Sequence, residues 1–411
     1  MLKGKEIVLG VTGGIAVYKA VELLRLLVKA GATVHVVMTQ AAKQFVTPLT
    51  FQTLSGNPVH SELFNLISEQ EIGHISLAER ADLFIVAPAT ANCIGKLACG
   101  IADDLLTTTV MATKAPVLIA PAMNVNMYQN PIYRENEERL KRHGYLFVAP
   151  VCGMLACGYE GEGKLQAPEV ILAEAVAALT PKRLAGERIL VTAGPTLEEI
   201  DPVRFVSNHS SGKMGYAIAR QAQLRGAEVT LVTGPTALAA PHGVKVIRVQ
   251  SAAEMRDAVM GLLERTDIVI KAAAVADYRP KSRSGEKMKK SAALLSIELE
   301  KNPDILAEIG GMKGERLLVG FAAETQELVK NATAKLNAKN LDLVVANDVS
   351  QEGAGFNVDT NIAKLLYRDG RVEALPMMGK EELAGEILER VELLRGERAG
   401  KAEKPGSPSA R

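Results

Sequence analysis

The chain has 411 residues with 47% hydrophobic and 23% charged side chains, a composition typical of globular proteins that excludes a disordered or fibrous chain. Its formal net charge at pH 7 is +1 and aromatic residues make up 4%, so neither overall charge nor aromatic stacking indicates a nucleic-acid partner. The length predicts roughly two or three domains.

The N-terminal residues run directly into a strand-like segment without the apolar region of a signal peptide, and no run of about 18 apolar residues predicts a membrane span. The four cysteines are too few for a disulfide scaffold of this size; they are Cys93, Cys99, Cys152 and Cys157. We therefore expect a reduced, cytoplasmic protein with no membrane partner.

A β-α-β unit opens the chain. Residues 6–12 predict a buried parallel strand, helical spacing of apolar residues follows up to Gly31, and residues 32–39 predict a second strand. Gly13 and Gly14 lie at the first turn, where free N–H groups and the helix dipole favour a phosphate. A plain tight turn explains them equally well. The full G-x-G-x-x-G is absent, which favours a monophosphate over a dinucleotide.

Three segments of this kind return later in the chain, offset by about 180–195 residues. RILVTAGPT (188–196), GAEVTLVTG (226–234) and TDIVIKAAAVADY (266–278) match earlier strand-and-turn segments in the same order. The sequence thus predicts an α/β protein with two doubly wound, Rossmann-like domains. Similarity this short favours shared fold rules over gene duplication.

The predicted domain boundary lies in a Pro, Gly and basic stretch at 178–188. We expect domains at 1–182 and 183–396, followed by a disordered polar tail at 397–411. In the second domain, Asp369-Gly370 between two alternating runs predicts a hairpin and hence added antiparallel strands.

Three segments of the first domain carry unusual chemistry. IGHISL places His74 before a helical run, APAMNVNMYQNP contains Asn124 after a strand, and MLACGYEGEGKL surrounds Cys157 with glycines. Each has an ordinary explanation: a core or capping histidine, a turn-forming asparagine and an incidental small cysteine. Cys152 and Cys157 lack the CxxC or spaced histidines that would predict zinc.

Together, the motifs GGIA, GHISL, PATANCIGKLACGIADDLL, PAMNVNM and LACGYEGEG resemble the flavin-dependent cysteine decarboxylases, specifically phosphopantothenoylcysteine decarboxylase, over residues 5–175. The resemblance implies a flavoprotein fold, with His74 as active-site base, Asn124 as binder of the substrate carboxylate and Cys157 as proton donor. It further implies that FMN is bound by Gly13, Gly14, Ile15, Thr39, Pro88, Ala89, Thr90, Ala91, Asn92 and Ala122.

The chemistry of that family accounts for these residue types. Carbon dioxide leaves an amino-acid α-carbon readily only if an electron sink is available. Oxidation of the neighbouring CH2–SH to a thioaldehyde by FMN supplies the sink, and the resulting ene-thiol is then protonated and reduced. A glycine-rich loop that carries Cys157 can close over the intermediate.

The second domain carries a different set of motifs. NHSSGKMG (208–215) precedes a helical pattern and could bind an oxyanion, AAAVADYRP leaves Asp277 at a strand end, and KMKK (287–290) concentrates positive charge. Lys335 and Lys339 share one helix face. A capped turn, a solvated loop and a solvated helix explain the individual features equally well.

The order of NHSSGKMG, AAVADY, KMKK, NPDI, GFAAET and AKLNAKNLDLVVAND resembles the bacterial, CTP-using phosphopantothenate–cysteine ligases over residues 187–395. The resemblance implies that Asn208 turns over the acyl intermediate, that Lys287 helps to form it, and that Asp277 holds Mg²⁺ or Mn²⁺. It also implies contacts with CTP from Ala273, Ala274, Val275, Asp277, Lys287, Asn302, Pro303, Asp304, Ile305, Phe321, Lys335 and Lys339.

Ligation in this family activates 4′-phosphopantothenate with CTP to an acyl-cytidylate, from which the amino group of cysteine displaces CMP. Decarboxylation of the product, 4′-phosphopantothenoylcysteine, gives 4′-phosphopantetheine. The chain thus resembles the fused bacterial enzymes that catalyse both steps toward coenzyme A. The resemblance of the chain to these enzymes implies trimeric contacts between decarboxylase domains and dimeric contacts between ligase domains. Together these contacts would give a closed homo-oligomer such as a dodecamer.

Two other functions are compatible with parts of the sequence. A duplicated NAD(P)-dependent oxidoreductase would need a full glycine fingerprint and an acidic residue after the second strand, which instead ends VVMTQ. A catalytically inactive, flavin-binding regulatory protein would not need His74, Asn124 and Cys157 together.

Overall fold

The computed structural model describes residues 2–63, 73–154, 160–288, 296–324, 326–348, 355 and 358–402. The chain divides into two compact units, Met1–Thr180 and Pro181–Arg411. Cys157 and the lysines at 289 and 290 lie outside the described residues.

The first unit is built on a parallel sheet with the strand order β3-β2-β1-β4-β5-β6. Its strands are β1 (Glu6–Val11), β2 (Thr33–Met38), β3 (Val59–His60), β4 (Leu83–Ala89), β5 (Val117–Pro121) and β6 (Leu146–Phe147). A separate antiparallel hairpin follows, formed by β7 (Val151–Met154) and β8 (Glu160–Lys164).

Helices cover both faces of this sheet. They are α1 (Val17–Lys29), α2 (Pro48–Ser55), α3 (Gly73–Arg80), α4 (Ala91–Cys99), α5 (Leu105–Ala112), α6 (Val125–Tyr128), α7 (Pro131–Arg142) and α8 (Pro168–Leu179). Residues of α4, α5 and α7 bury their apolar sides against one face, while α1 and α8 contact each other and the strands on the other. The strands consist of continuous runs of apolar residues because helices cover both faces of the sheet.

The second unit has a larger mixed sheet with the order β13-β12-β9-β14-β17-β18-β20-β21. These strands are β9 (Arg188–Ala193), β12 (Glu228–Thr233), β13 (Lys245–Arg248), β14 (Ile268–Lys271), β17 (Leu317–Glu324), β18 (Leu343–Asp348), β20 (Ala363–Tyr367) and β21 (Val372–Ala374). The last two strands are antiparallel, as the Asp-Gly hairpin predicted.

Smaller antiparallel pairs lie outside this sheet. They join β10 (Leu197–Glu199) to β11 (Phe205–Ser207), β15 (Tyr278–Pro280) to β16 (Leu299–Lys301), and β19 (Thr360–Asn361) to β22 (Met378–Gly379). The helices of this unit are α9 (Lys213–Leu224), α10 (Ala252–Leu262), α11 (Ile305–Gly311), α12 (Leu328–Ala338) and α13 (Lys380–Ala402).

The large sheet is covered on both faces. One core joins α9 and α13 to the sheet, and the other joins α10, α11 and α12 to its opposite face. The predicted α/β class, with doubly wound parallel sheets and added antiparallel strands, is confirmed. Helix α13 continues to Ala402, beyond the start of the tail expected at Glu397. Within the described residues, no helix is long and apolar enough to span a membrane.

Candidate active sites

The predicted flavin-binding residues lie at one edge of the first sheet. Gly13 follows β1, Thr39 follows β2, Pro88 and Ala89 are the last two residues of β4, and Ala122 follows β5. Carboxyl ends of parallel strands share one edge of the sheet. The strand order reverses between β1 and β4, which is the position where doubly wound sheets open a ligand crevice.

Short contacts join these segments. The Thr12 hydroxyl donates to the Pro88 carbonyl (2.6 Å) and accepts from the Thr90 N–H (3.0 Å), and the Ala122 N–H donates to the Ala89 carbonyl (3.0 Å). Since each bond links the ends of different strands, the segments after β1, β4 and β5 hold one another in place.

The first turn leaves no room for a side chain. A Cβ added at Gly13 would lie 2.4 Å from the Ala41 Cβ, so the chain from Thr39 to Ala41 closes directly over the turn. Helix α1 begins there, and among the described residues no side chain caps its N-terminus. Close backbone approach and uncapped N–H groups are what a phosphate ester requires. Gly13, Gly14 and Ile15 therefore fit the phosphate of a flavin nucleotide.

Asn124 is the N-cap of α6, and its side-chain oxygen accepts a hydrogen bond from the Asn126 N–H (2.9 Å). The turn-forming role considered for this residue is thus present in the structure. Asn124 is nevertheless half-buried and lies directly after the Ala122 segment at the sheet edge. Capping and substrate binding are compatible, since the amide nitrogen is not needed for the cap.

The hairpin β7–β8 lies against the Asn124 segment. The Met123 N–H donates to the Gly163 carbonyl (2.9 Å), and Met154 at the end of β7 pairs with Glu160 at the start of β8. Cys157, the predicted proton donor, belongs to the connection between these two strands and lies outside the described residues.

His74 is the second residue of α3 and is half-buried. Helix α3 packs against α5, and the Thr113 hydroxyl at the end of α5 donates to the Ala78 carbonyl (3.0 Å). These contacts fix the helix that carries His74. Leu77 of the same helix packs in one apolar cluster with Ala89 and Cys93, at the end of β4 and in α4.

The second unit contains a cavity of about 920 Å³ at the carboxyl edge of its sheet. Its walls include Asn208 and every predicted nucleotide-binding residue except Lys287, namely Ala273, Ala274, Val275, Asp277, Asn302, Pro303, Asp304, Ile305, Phe321, Lys335 and Lys339. Residues from five separate stretches of sequence therefore meet at one site. The volume is within the range of small-molecule sites.

Backbone and amide contacts shape one wall of this cavity. The Asn208 side-chain amide donates to the Ala274 carbonyl (3.1 Å), and the Asn302 amide donates to the Ala276 carbonyl (2.9 Å). The Asn302 Oδ1 is buried and has no hydrogen-bond partner among the described residues. A buried acceptor of this kind needs a donor, which a bound ligand can provide.

Lysines line the opposite wall. Lys339 forms an ion pair with Asp304 (2.8 Å), and Lys335 donates to the Phe321 carbonyl (2.7 Å). The ion pair with Lys339 and the hydrogen bond from the Ala307 N–H hold the pKa of Asp304 below its usual range despite its partial burial. This carboxylate is therefore ionised and fixed at the cavity rim.

Asp277 is exposed at the cavity after β14. The described residues contain no group of three or more His, Cys, Asp or Glu side chains suited to a metal. Mg²⁺ commonly uses one or two carboxylates together with substrate phosphates and water. A single exposed carboxylate beside a lysine-rich cavity fits that mode of binding.

Lys287 does not line the cavity. It is exposed on a segment held by bonds from the Ser284 N–H to the Ile200 carbonyl (3.0 Å) and from the Met288 N–H to Asp201 Oδ2 (3.2 Å). The remainder of KMKK lies outside the described residues. The structure therefore separates Lys287 from the other residues predicted to bind the nucleotide.

Sequence reasoning missed several polar cavity residues: Lys213, Lys271, Lys301, Asn361 and Lys380. Lys271 was detectable as the one charged residue of the strand segment IVIK (268–271). Lys213 lies within NHSSGKMG, where the sequence predicts an oxyanion-binding turn without assigning a role to the lysine. Lys380 and Asn361 come from elements far along the chain, so no local pattern could place them at this site.

Family models and curated relatives agree for both units. Residues 1–180 match the family described as "Flavoprotein", and residues 184–394 match "DNA/pantothenate metabolism flavoprotein C-terminal domain". The chain is 52% identical over 398 residues to the coenzyme A biosynthesis bifunctional protein CoaBC of Bacillus subtilis, covering 96% of this chain and 98% of the relative. The chain belongs to the family of bifunctional coenzyme A biosynthesis proteins.

The chain is also similar to other proteins of this name. The CoaBC protein of Escherichia coli is 48% identical over 395 residues, which cover 95% of this chain and 97% of that protein. A crystal structure of the C-terminal domain of a CoaBC protein is 48% identical, with a TM-score of 0.46, and covers 53% of this chain and 99% of that one.

Family membership confirms the predicted class of function. The chain is a bifunctional enzyme of coenzyme A biosynthesis with decarboxylase and ligase activities, and its first unit is a flavoprotein domain. The two alternatives, an NAD(P)-dependent oxidoreductase and an inactive regulatory flavoprotein, are not retained.

Proposed function

We propose that residues 183–396 couple 4′-phosphopantothenate to cysteine with CTP, and that residues 1–182 decarboxylate the resulting 4′-phosphopantothenoylcysteine with FMN. The observation that carries this proposal is the 920 Å³ cavity, in which Asn208 meets the residues implied in nucleotide binding. The products are CMP, pyrophosphate, carbon dioxide and 4′-phosphopantetheine.

In the decarboxylase domain, the turn at Gly13 and Gly14 would hold the FMN phosphate, with Thr39 and the segment from Pro88 to Asn92 around it. Bound FMN would supply the transient oxidation that makes loss of carbon dioxide possible. Asn124 binds the substrate carboxylate through its amide nitrogen. Cys157 acts as the proton donor, whose thiol supplies the proton that replaces the carboxylate.

In the ligase domain, Asp277 would hold Mg²⁺, which neutralises charge on the triphosphate. Lys335 and Lys339 add positive charge along the wall of the cavity, which favours attack on the α-phosphate. Asn208 is positioned through its bond to the Ala274 carbonyl (3.1 Å) and directs the acyl group to the incoming amine. Lys287 acts in the first half-reaction from the neighbouring loop.

We further propose a cytoplasmic homo-oligomer with trimeric contacts through the decarboxylase domain and dimeric contacts through the ligase domain, which close into a dodecamer. Large apolar side chains on both units support such contacts. Ile15 and Leu49 are exposed on the first unit, and Val203 and Phe205 on the second.

The test is mass spectrometry of the products formed by the purified yellow protein. It is incubated with 4′-phosphopantothenate, cysteine, Mg²⁺ and either CTP or ATP. Phosphopantetheine, CMP and pyrophosphate in the CTP reaction alone support both activities and the nucleotide. Accumulation of 4′-phosphopantothenoylcysteine contradicts the decarboxylase assignment, and absence of any conjugate contradicts the ligase assignment.

A further inference from the structure

Lys271 ends β14, a central strand of the ligase sheet, where it pairs in register with Thr192 of β9 and Gly320 of β17. Val269, two residues earlier on the same side of the strand, is buried in the core that includes α11 and α12. The Lys271 side chain therefore points toward the helices that carry Asp304, Lys335 and Lys339, and it lines the same cavity.

The Lys271 ammonium differs from those of Lys335 and Lys339 in having neither a hydrogen-bond acceptor nor a counter-ion. Throughout the part of the chain that the structure describes, it makes no hydrogen bond or ion pair. Lys339 is paired with Asp304, and Lys335 donates to the Phe321 carbonyl. A half-buried ammonium group without a partner is costly to maintain.

The surroundings of Lys271 add positive rather than negative charge. Burial, followed by the charges of Lys335 and Lys339, lowers the pKa of Lys271 to about 8, while Asp304 and Asp277 oppose the shift. The Asp304 carboxylate is already occupied by Lys339 and the Ala307 N–H. The ammonium groups of Lys271, Lys335 and Lys339 thus share the cavity with two carboxylates, the committed Asp304 and the exposed Asp277.

We propose that Lys271 is a ligand-binding residue of the ligase, which together with Lys335 and Lys339 forms a subsite for a phosphate group of a substrate. This proposal rests on the proposed ligase function. The phosphate could belong to the nucleotide or to 4′-phosphopantothenate, which share the same recognition chemistry. An oxyanion there relieves the repulsion among the three ammonium groups and supplies the missing counter-ion.

The experiment measures binding to the full chain by isothermal titration calorimetry, with CTP and with 4′-phosphopantothenate in separate titrations. Lys271→Met keeps the length of the side chain and removes its charge. Loss of one charge-assisted contact should weaken the affected ligand about 10- to 100-fold. Lys271→Arg should retain part of the affinity, since it restores a cation at this position.

Lys364→Met is the matched control, because Lys364 is an exposed lysine on β20 of the same sheet and does not line the cavity. The thermal unfolding transition of each variant checks that its ligase domain is folded, because decarboxylation of supplied 4′-phosphopantothenoylcysteine reports only on the first unit. The melting temperature without ligand should stay equal or rise in Lys271→Met, whereas a purely structural lysine would lower it on removal.

Weakened binding of CTP alone assigns the subsite to the nucleotide, and weakened binding of 4′-phosphopantothenate alone assigns it to that substrate. If the wild-type chain forms the conjugate and Lys271→Met binds both ligands normally, the subsite is refuted while the ligase function stands. If the wild-type chain binds neither ligand and forms no conjugate, both proposals fail.

Discussion

The backbone N–H of Met123 donates a hydrogen bond to the carbonyl of Gly163 (2.9 Å) and so joins the Asn124 segment to the second strand of the hairpin. Gly163 has a φ of +137°, and a Cβ added there would lie 2.4 Å from the Met123 carbonyl oxygen. The contact is therefore possible only for glycine. Through it, strand β8 of the hairpin is joined to the segment that contains Asn124.

Gly163→Ala should slow decarboxylation about 10- to 100-fold, because a displaced hairpin misaligns the proton donor with the bound substrate. Steady-state assays on supplied 4′-phosphopantothenoylcysteine measure the effect. Conjugate synthesis should be unchanged. Gly153→Ala is the control on the same hairpin, since the nearest atom to its Cβ would be the flexible end of Lys164 at 3.8 Å. Equal rates in both variants would contradict this role for the hairpin contact.

Gly13→Ala should abolish flavin binding, because its Cβ would lie 2.4 Å from that of Ala41 at the turn proposed to hold the phosphate. The visible flavin absorbance per chain measures the loss. Gly95→Ala in α4 should keep the flavin, since the nearest atom would be 3.8 Å away and alanine favours a helix. Full flavin content in Gly13→Ala would show that the phosphate binds elsewhere.

Cys157→Ser should stall the reaction after carbon dioxide is lost, because the serine hydroxyl is a much weaker acid than the thiol. Removing a general acid slows turnover by about 10²–10⁴-fold. Carbon dioxide release and the retained ene-thiol can be followed by mass spectrometry. Ligation should proceed at the normal rate; loss of both activities in folded protein would contradict two separate sites.

Lys287→Gln should have the opposite effect, with conjugate synthesis reduced about 100-fold and decarboxylation of supplied conjugate retained. The two activities are measured separately on one preparation. Lys281→Gln is a suitable control, because this exposed lysine lies on the same segment and pairs with Glu298 (3.1 Å). A full rate of ligation in Lys287→Gln would fit its position outside the cavity wall and would remove it from the mechanism.

The stability of the ligase domain should depend on pH through Lys271. Its pKa of about 8 in the folded protein is below the value of about 10.4 in an unfolded chain, so the folded state binds fewer protons between these values. Stability should therefore rise with pH across this window. Without ligand, Lys271→Met should be more stable than wild type at pH 7, by ~1–3 kcal/mol.

This advantage of Lys271→Met should shrink as the pH rises from 8 toward 10.4, because the wild-type lysine then becomes neutral in both states. Calorimetry of the full chain at pH 7 and at pH 9.5 gives the comparison. Lys364→Met should show no such convergence, since Lys364 is exposed. A constant difference between Lys271→Met and wild type at both pH values would contradict the burial of an unpaired charge.

The sequence predicted the parallel strands well, because segments such as 6–12 and 188–196 are apolar on both faces and end in glycine turns. The Asp369-Gly370 hairpin was equally visible. The short strand pairs β10–β11 and β15–β16 could not be predicted from the sequence, because a strand of three residues shows almost no hydrophobic periodicity. Their partners are fixed by the fold around them rather than by local sequence.

The predicted site residues depended mainly on resemblance, and the structure adds what local sequence cannot supply. Nothing in the residues around Lys271 indicates that Lys335 and Lys339 face it from another helix. The sequence left Asn124 either as a turn former or as a substrate-binding residue, and the structure shows that its side-chain oxygen accepts a hydrogen bond from the Asn126 N–H at the start of α6. The topology of the sheet decides which side chains from distant parts of the sequence lie close together.

The last turns of α13 set a practical limit for shortening the chain. Arg398 pairs with Asp342, a buried carboxylate that also accepts hydrogen bonds from Lys313 (2.7 Å) and from the Leu318 N–H (2.8 Å). A truncation at residue 396 would remove Arg398 and leave the Asp342 carboxylate, which lies beside the first residues of β17 and β18, without its guanidinium partner. A shortened version of the chain should therefore extend at least to Ala402, the last residue of α13.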